Sequence, residues 1–249
     1  MSEALQRALG AAGPGPTPTP ALVLGPAGSG RSALLFRAAL AGPRALFLAP
    51  RALQRLPGAR RGESGPRGLQ VRGGFLYPPS LRELLRLLAS LPQSLPGPPA
   101  LLLLDGLEQY LAGCPGPQVA ARLSALLVDT ASYFTGRLGT DRQGSAPCCQ
   151  LVASMQVSGE TEAEDHLCVL QRYFPAQCCL CPDPAAALGQ EDCGGDRMFR
   201  ARLSQPGAAD QEWKLGFGLD GEMRVSPVPW GCAEDPGAAD TDRTAGAGK

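Results

Sequence analysis

The chain has 249 residues, 44% of them hydrophobic, and as many acidic as basic side chains, 23 of each. That length buries one sizeable core, and the zero net charge selects no polyanionic partner overall. A single histidine argues against a multi-histidine metal enzyme and leaves a Ser-His-Asp hydrolase only one candidate base. No stretch approaches a transmembrane span, so no membrane is expected as a partner. The absence of Asn and Ile, with 25 Pro and two lysines (Lys214, Lys249) among 23 basic residues, points to a compositional bias that favours Arg over Lys along the whole gene. Without Asn there is no N-glycosylation site and no Asn-based guanine-recognition motif.

Residues 1–20 are rich in Ala, Gly, Pro and Thr and lack the apolar core of a signal peptide; they read as a flexible extension. Residues 21–228 read as one domain. The tail 229–249 is small, polar and mildly acidic, the composition of a disordered segment. The first element is an apolar run, Ala21–Leu24, of the kind that forms a buried parallel strand. Gly25-Pro26-Ala27-Gly28-Ser29-Gly30-Arg31-Ser32 follows. It fits the phosphate-binding loop G-x-x-x-x-G-K-[ST], with Arg31 in place of the lysine. Gly25, Gly28 and Gly30 permit the turns and the close approach to phosphate oxygens that a β-carbon hinders, Ser29 lies between them, and Ser32 supplies the hydroxyl expected on Mg²⁺. A chance pattern among 32 glycines is the competing reading. The strand before the loop and the helix-forming run Ser32–Leu40 after it argue against chance, because phosphate sits on the amides of a helix N-terminus.

Ala45–Leu48 is the second strand. Residues 50–72 are broken by Gly and Pro and admit only a short helix near Arg51–Leu56. Gly74–Tyr77 is a third strand. Pro78-Pro79 breaks the chain, and Ser80 with Glu83 forms a capping box for a helix through Leu88. Ala100–Asp105 is an apolar strand ending in a carboxylate, the Walker B form in which Asp105 holds Mg²⁺. Gln118–Arg137 reads as a long helix, Gln150–Val157 as a strand, His166–Tyr173 as a helix and Cys178–Leu180 as a strand. Trp213–Phe217 and Glu222–Val225 read as a closing hairpin through Asp220-Gly221. Alternating strands and helices around such a loop predict an α/β fold: a mostly parallel central sheet, helices on both faces, and a C-terminal β-hairpin. The nine cysteines, without a secretion signal, read as reduced thiols; Cys178, Cys179, Cys181, Cys193 and His166 show no zinc-type spacing.

The order of strand, P-loop, Walker B strand and a strand ending in Gln156 resembles the RecA-like P-loop NTPase core of recombinases. Three further segments, Gly74–Leu84, Leu101–Leu111 and Leu170–Cys178, are similar to the family of distant recombinase paralogues that associate with a SWIM-type zinc-finger protein in the vertebrate Shu complex. The resemblance covers about residues 21–228. It implies ATP and Mg²⁺ as cofactors, with Arg31, Asp105 and Gln156 as catalytic residues and Gln156 sensing the γ-phosphate. It also implies hydrolysis stimulated by single-stranded DNA, a SWIM zinc-finger partner stabilised by the complex, recombinase and its paralogues as associates, and a nuclear role in homologous-recombination repair.

The sequence departs from a working recombinase at two places. Arg31 is a planar fork where a compact ammonium is expected. The water-activating Glu that such ATPases carry after the second strand has no counterpart in Leu46–Arg51; Glu108 is the nearest carboxylate to nominate. Slow or absent intrinsic hydrolysis with ATP binding retained is therefore expected. The loop Val157–Asp165, which in recombinases touches DNA, is acidic. Arg60, Arg61, Arg67 and Arg72, with Arg44, Arg51 and Arg55, form the alternative DNA-binding segment, which reads equally as a solvated Arg-rich loop. Phe36-x-x-Ala39 fits either a recombinase docking motif or core packing, and Tyr77-Pro78-Pro79 and Tyr173-Phe174-Pro175 either packing or a partner surface. Two functions stay open: a DNA-stimulated repair ATPase, and a RecA-fold binding module that scaffolds its partner. A P-loop small-molecule kinase is a weaker third, since no acceptor-site or lid motif is present.

Overall fold

The computed structural model describes residues 3–10, 19–41, 44–52, 73–139, 148–157, 161–183, 197–218 and 222–228. Strands β1 (Ala21–Gly25), β2 (Ala45–Leu48), β3 (Gly73–Leu76), β4 (Leu101–Leu104), β5 (Gln150–Gln156) and β6 (Ala176–Pro182) alternate with helices α2 (Arg31–Ala41), α3 (Leu81–Ser94), α4 (Leu107–Leu111), α5 (Pro117–Gly139) and α6 (Thr161–Tyr173). α1 (Glu3–Ala8) precedes them, and β7 (Arg197–Ser204), β8 (Gln211–Phe217) and β9 (Met223–Pro227) follow.

The nine strands among the described residues form one sheet in the order β3-β2-β4-β5-β1-β6-β7-β8-β9. Every pairing from β3 across to β6 is parallel, and β6 to β9 are antiparallel. Side chains alternate across a strand, so β1 divides its apolar run: Ala21 and Val23 join the layer of α1 and α2, while Leu22 and Leu24 join that of α3, α4, α5 and α6. Both faces of the parallel half are thus buried, as near-continuous apolar strands require. The antiparallel extension differs. Phe199, Ala201, Leu203, Trp213 and Leu215 enter the α1–α2 layer, whereas Arg202 and Arg224 on the other face are exposed.

The fold class expected from the sequence is the one observed, and the closing hairpin is β8–β9, joined by an additional strand, β7. The N-terminal segment differs: within 1–20, α1 buries Leu5 and Ala8, and the turn after it buries Leu9. Helix α3 runs past Leu88 to Ser94 with Pro92 inside it. Buried Leu91 extends the apolar stripe past Leu88, and the Leu95 N–H closes the last turn on the Leu91 carbonyl at 3.2 Å. At its start, Ser80 Oγ accepts the Glu83 N–H at 3.3 Å, as a capping residue does. The acidic loop also differs. Thr161–Asp165 belong to α6, where Glu164 lies in the first turn and suits the positive end of the helix dipole. Residues Arg51 and Ala52 are not helical, and the rest of 51–56 lies outside the described residues. Among the described residues no helix is long and apolar enough to cross a membrane.

Candidate nucleotide site

Strand order places three strand ends in a row. β5 lies between β1 and β4, so the C-terminal ends of β1, β5 and β4 deliver the glycine loop, Gln156 and Asp105 side by side. The loop leaves β1 at Gly25 and turns through Gly28 (φ 73°) and Gly30 (φ 88°), left-handed conformations that favour glycine. The Ser29 N–H closes a turn on the Pro26 carbonyl at 3.2 Å, and the Leu34 N–H reaches the Gly30 carbonyl at 2.9 Å to start α2. Gly25 is needed for space: a β-carbon there would run into Ser29 Oγ and Leu180. Ser29 is fully buried, and its Oγ has no hydrogen-bond partner among the described residues. Ser32 is half-buried at the second position of α2.

Arg31 meets Gln156 and Glu108, and its buried Nη1 has no hydrogen-bond partner among the described residues. Its Nη2 donates to Gln156 Oε1 at 3.4 Å, and its Nη1 lies 3.8 Å from Glu108 Oε2. The same Glu108 oxygen accepts the Gln156 backbone N–H at 2.9 Å. Burial pulls the Arg31 pKa below the usual arginine value, and Glu108 and then Asp105 pull it back up. Arg31 stays charged, because an arginine starts so far above neutrality.

Asp105 follows β4, its N–H bonded to the Leu48 carbonyl at 2.9 Å. Ser154 Oγ donates to Asp105 Oδ1 and accepts the Gly106 N–H at 3.0 Å. Gly106 has φ 79°, so the Asp-Gly turn that presents the carboxylate needs its glycine. Tyr110, one turn into α4, donates to the Pro78 carbonyl at 2.8 Å; burial first, and Asp105 second, push its phenol well above the ordinary tyrosine value. That bond makes Pro78 part of the packing beside the site, while Tyr77 stacks on Phe75 at 6.3 Å. Phe36 is buried and stacks on Phe75, and Phe174 is fully buried.

The expected residues Arg31, Asp105 and Gln156 thus gather at one end of the sheet with Gly25, Gly28, Ser29, Gly30 and Ser32. Ser154 and the contacts of Glu108 were not readable from motifs. After β2 come Ala49, Pro50 and Arg51, with no carboxylate. Arg60, Arg61, Arg67 and Arg72 lie outside the described residues. Cys178 and Cys179, on opposite faces of β6, enter different layers; among the described residues no cluster of metal-ligating side chains occurs. His166 meets the Gly116 carbonyl at 3.2 Å, tying α6 to the start of α5.

These features define a P-loop protein with a RecA-like core. The backbone comparison agrees: a crystal structure of the RadB recombinase superposes with a TM-score of 0.56 at 16% identity, over 89% of this chain and 96% of that one. The flagellar accessory protein FlaH from Methanocaldococcus jannaschii gives 0.55 at 11% identity, over 91% and 96%. At such identities the likeness concerns the fold. No protein-family model matches the chain. Two sequence relatives decide the family. The chain is 47% identical over 230 residues to human "ATPase SWSAP1", spanning 88% of this chain and 91% of that protein. It is 44% identical over 245 residues to the mouse protein of the same name, 91% and 82%. The chain belongs to the SWSAP1 ATPase family.

Proposed function

We propose that this chain is an ATP- and Mg²⁺-binding RecA-like subunit of homologous-recombination DNA repair. In this reading it acts in the nucleus, in a Shu-type complex with a SWIM zinc-finger protein, supporting recombinase filaments and binding single-stranded DNA. The name and identity of its relatives support the ATPase class, and the RecA-like fold is compatible with DNA as a partner. The observation that carries the nucleotide assignment is the loop itself: left-handed Gly28 and Gly30, and a buried Ser29 hydroxyl without a partner among the described residues. A phosphate chain fits the amides at the start of α2. Ser32 and Asp105 would hold Mg²⁺, which supplies charge neutralisation to the phosphates. Arg31 and Gln156 would meet the terminal phosphate, and Ser154 keeps the Asp105 carboxylate aimed.

A slow catalyst is the expected consequence. Phosphoryl transfer depends on positioning, and here the P-loop cation is already engaged by Glu108 and Gln156. In this reading Asp105 is taken up by Mg²⁺, and Glu108, the other carboxylate in the cluster, is spent on Arg31 and on the Gln156 N–H. This favours the second reading as well, a RecA-fold scaffold that uses nucleotide, if at all, only to hold a conformation for its partner. ATP turnover measured with and without single-stranded DNA, on the chain alone and on its complex with the SWIM protein, separates the two. DNA-stimulated turnover supports the ATPase; nucleotide-independent complex formation without turnover supports the scaffold.

A further inference from the structure

The phosphate-binding loop is also approached from the antiparallel extension, which carries none of its motifs. Arg197 begins β7 and stands opposite Phe217 in the β7–β8 register. By strand alternation both belong to the α2 side of the sheet, together with buried Phe199, Ala201, Trp213 and Leu215. The Phe217 ring covers Gly30, where a β-carbon would run into it. Phe217 also meets Phe199 edge-on at 6.0 Å, which fixes the ends of both strands against the loop. Arg197 reaches the loop's other left-handed glycine: a β-carbon built on Gly28 would lie 3.4 Å from Arg197 Nη1.

The other arginines of the extension are committed. Arg200 pairs with Asp183, Arg202 with Asp210 and Arg224 with Glu222. Arg197 is exposed and has no acidic partner among the described residues. Inside the loop, the fully buried Ser29 Oγ lacks a hydrogen-bond partner among the described residues. On the loop's far side, Arg31 is drawn toward Glu108 and Gln156. The Gly28 side is therefore where an uncommitted guanidinium meets the phosphate cradle.

We propose that Arg197 is a second phosphate-binding residue of this site, a guanidinium supplied by the same chain that contacts the polyphosphate of a bound nucleotide across Gly28. Its planar fork matches paired phosphate oxygens, and its position adds a cation on the Gly28 side of the loop. The assignment rests on the reading of Gly25–Ser32 as a nucleotide site. It predicts recognition of the phosphates and not of the base.

The test is titration of the full-length chain with fluorescent ADP and ATP analogues, followed by anisotropy, and competition by inorganic tripolyphosphate. Arg197→Ala should weaken both nucleotides and tripolyphosphate roughly tenfold, the scale of a lost charge-assisted hydrogen bond, and flatten the salt dependence of binding. Arg197→Lys should recover part of the loss. Arg224→Ala, an exposed arginine paired elsewhere, should change nothing. Melting temperatures of all variants should match wild type, since these side chains are exposed. Nucleotide binding by wild type that Arg197→Ala leaves unaltered overturns the assignment and leaves the nucleotide site standing. A loss for nucleotides but not for tripolyphosphate also overturns it, by moving the contact to the sugar or base. No nucleotide binding by wild type overturns both readings together.

Discussion

One carboxylate oxygen, Glu108 Oε2, accepts the Gln156 backbone N–H at 2.9 Å and lies 3.8 Å from Arg31 Nη1. The strand end expected to sense a phosphate and the cation expected to bind one are thus tied to the same acid. A phosphate entering the loop must draw Arg31 away from Glu108. Glu108→Gln keeps an acceptor for the Gln156 N–H and removes the competing charge. It should tighten ATP binding about fivefold, the effect of a partly exposed ion pair worth about 1 kcal/mol. Equilibrium titration with a fluorescent ATP analogue reads this directly. Weaker binding by the variant would show that Glu108 helps to hold the nucleotide.

Arg31 itself separates binding from turnover. Wild type should bind ATP yet turn over well below roughly 1 s⁻¹, the lower end of ordinary enzymes. Arg31→Lys restores the compact ammonium and should raise turnover, on the order of tenfold, with DNA present. Arg31→Ala should weaken ATP binding. Single-turnover hydrolysis with labelled ATP checks all three. A wild-type rate of ordinary size, abolished in Arg31→Lys, would mean that the guanidinium is the adapted catalyst.

The parallel half of the sheet is legible in the sequence because its strands are short apolar runs stopped by Gly, Pro or Asp, as in Ala21–Gly25 and Leu101–Leu104. β7 carries a strand signal of its own, since Phe199–Ser204 alternates apolar and polar side chains with the period of a half-buried strand, but no motif ties that segment to the site. Helix α4 has only five residues, too few for a periodicity to emerge. α1 hides in an Ala/Gly-rich segment, where Leu5 and Leu9 gain meaning only from the core they enter. In the site, spacing reveals Gly25–Ser32, Asp105 and the strand ending in Gln156. Ser154 is a small polar residue in mid-strand, and its bonds to Asp105 and Gly106 exist only once β4 and β5 pair. The approach of Arg197 to Gly28 likewise arises from tertiary structure alone.

Ser154→Ala tests the support of the carboxylate. The substitution leaves the Gly106 N–H without its acceptor and Asp105 Oδ1 without a donor. An orphaned buried amide costs about 1–3 kcal/mol, so the urea midpoint should fall. Mg²⁺-dependent enhancement of ATP binding should shrink, and Asp105→Asn should abolish it. The two measurements are independent. A lowered midpoint with unchanged Mg²⁺ dependence would make Ser154 a purely structural residue.

Gly30→Ala should be severely destabilising for two separable reasons. Its φ of 88° suits only glycine well, and its new β-carbon would collide with the Phe217 ring. The left-handed conformation alone costs a non-glycine residue about 1–2 kcal/mol. Adding Phe217→Ala removes the collision but not the backbone strain. The double variant should therefore be more stable than the sum of the single effects predicts, by chemical denaturation. Strict additivity would place the ring away from the loop.

Thiol titration links burial to pH. Burial first, and Cys148 second, raise Cys149 to about 12; burial, then Cys179, push Cys178 higher still. An unfolded thiol ionises near about 8.5. Below that value both states hold the proton, and the thiols contribute nothing to the pH dependence of stability. Above it the unfolded chain releases protons that the folded chain retains, so folding stability declines as pH rises from about 9 toward 12. Replacing Cys149 and Cys178 by Ala should flatten that decline, after allowance for the cavities created. At pH 8, exposed Cys168 and Cys181 should react with an aromatic disulfide reagent in the native protein, while Cys149 and Cys178 react only after urea is added. Rapid native reaction at Cys178 would contradict its place in the layer beneath α2.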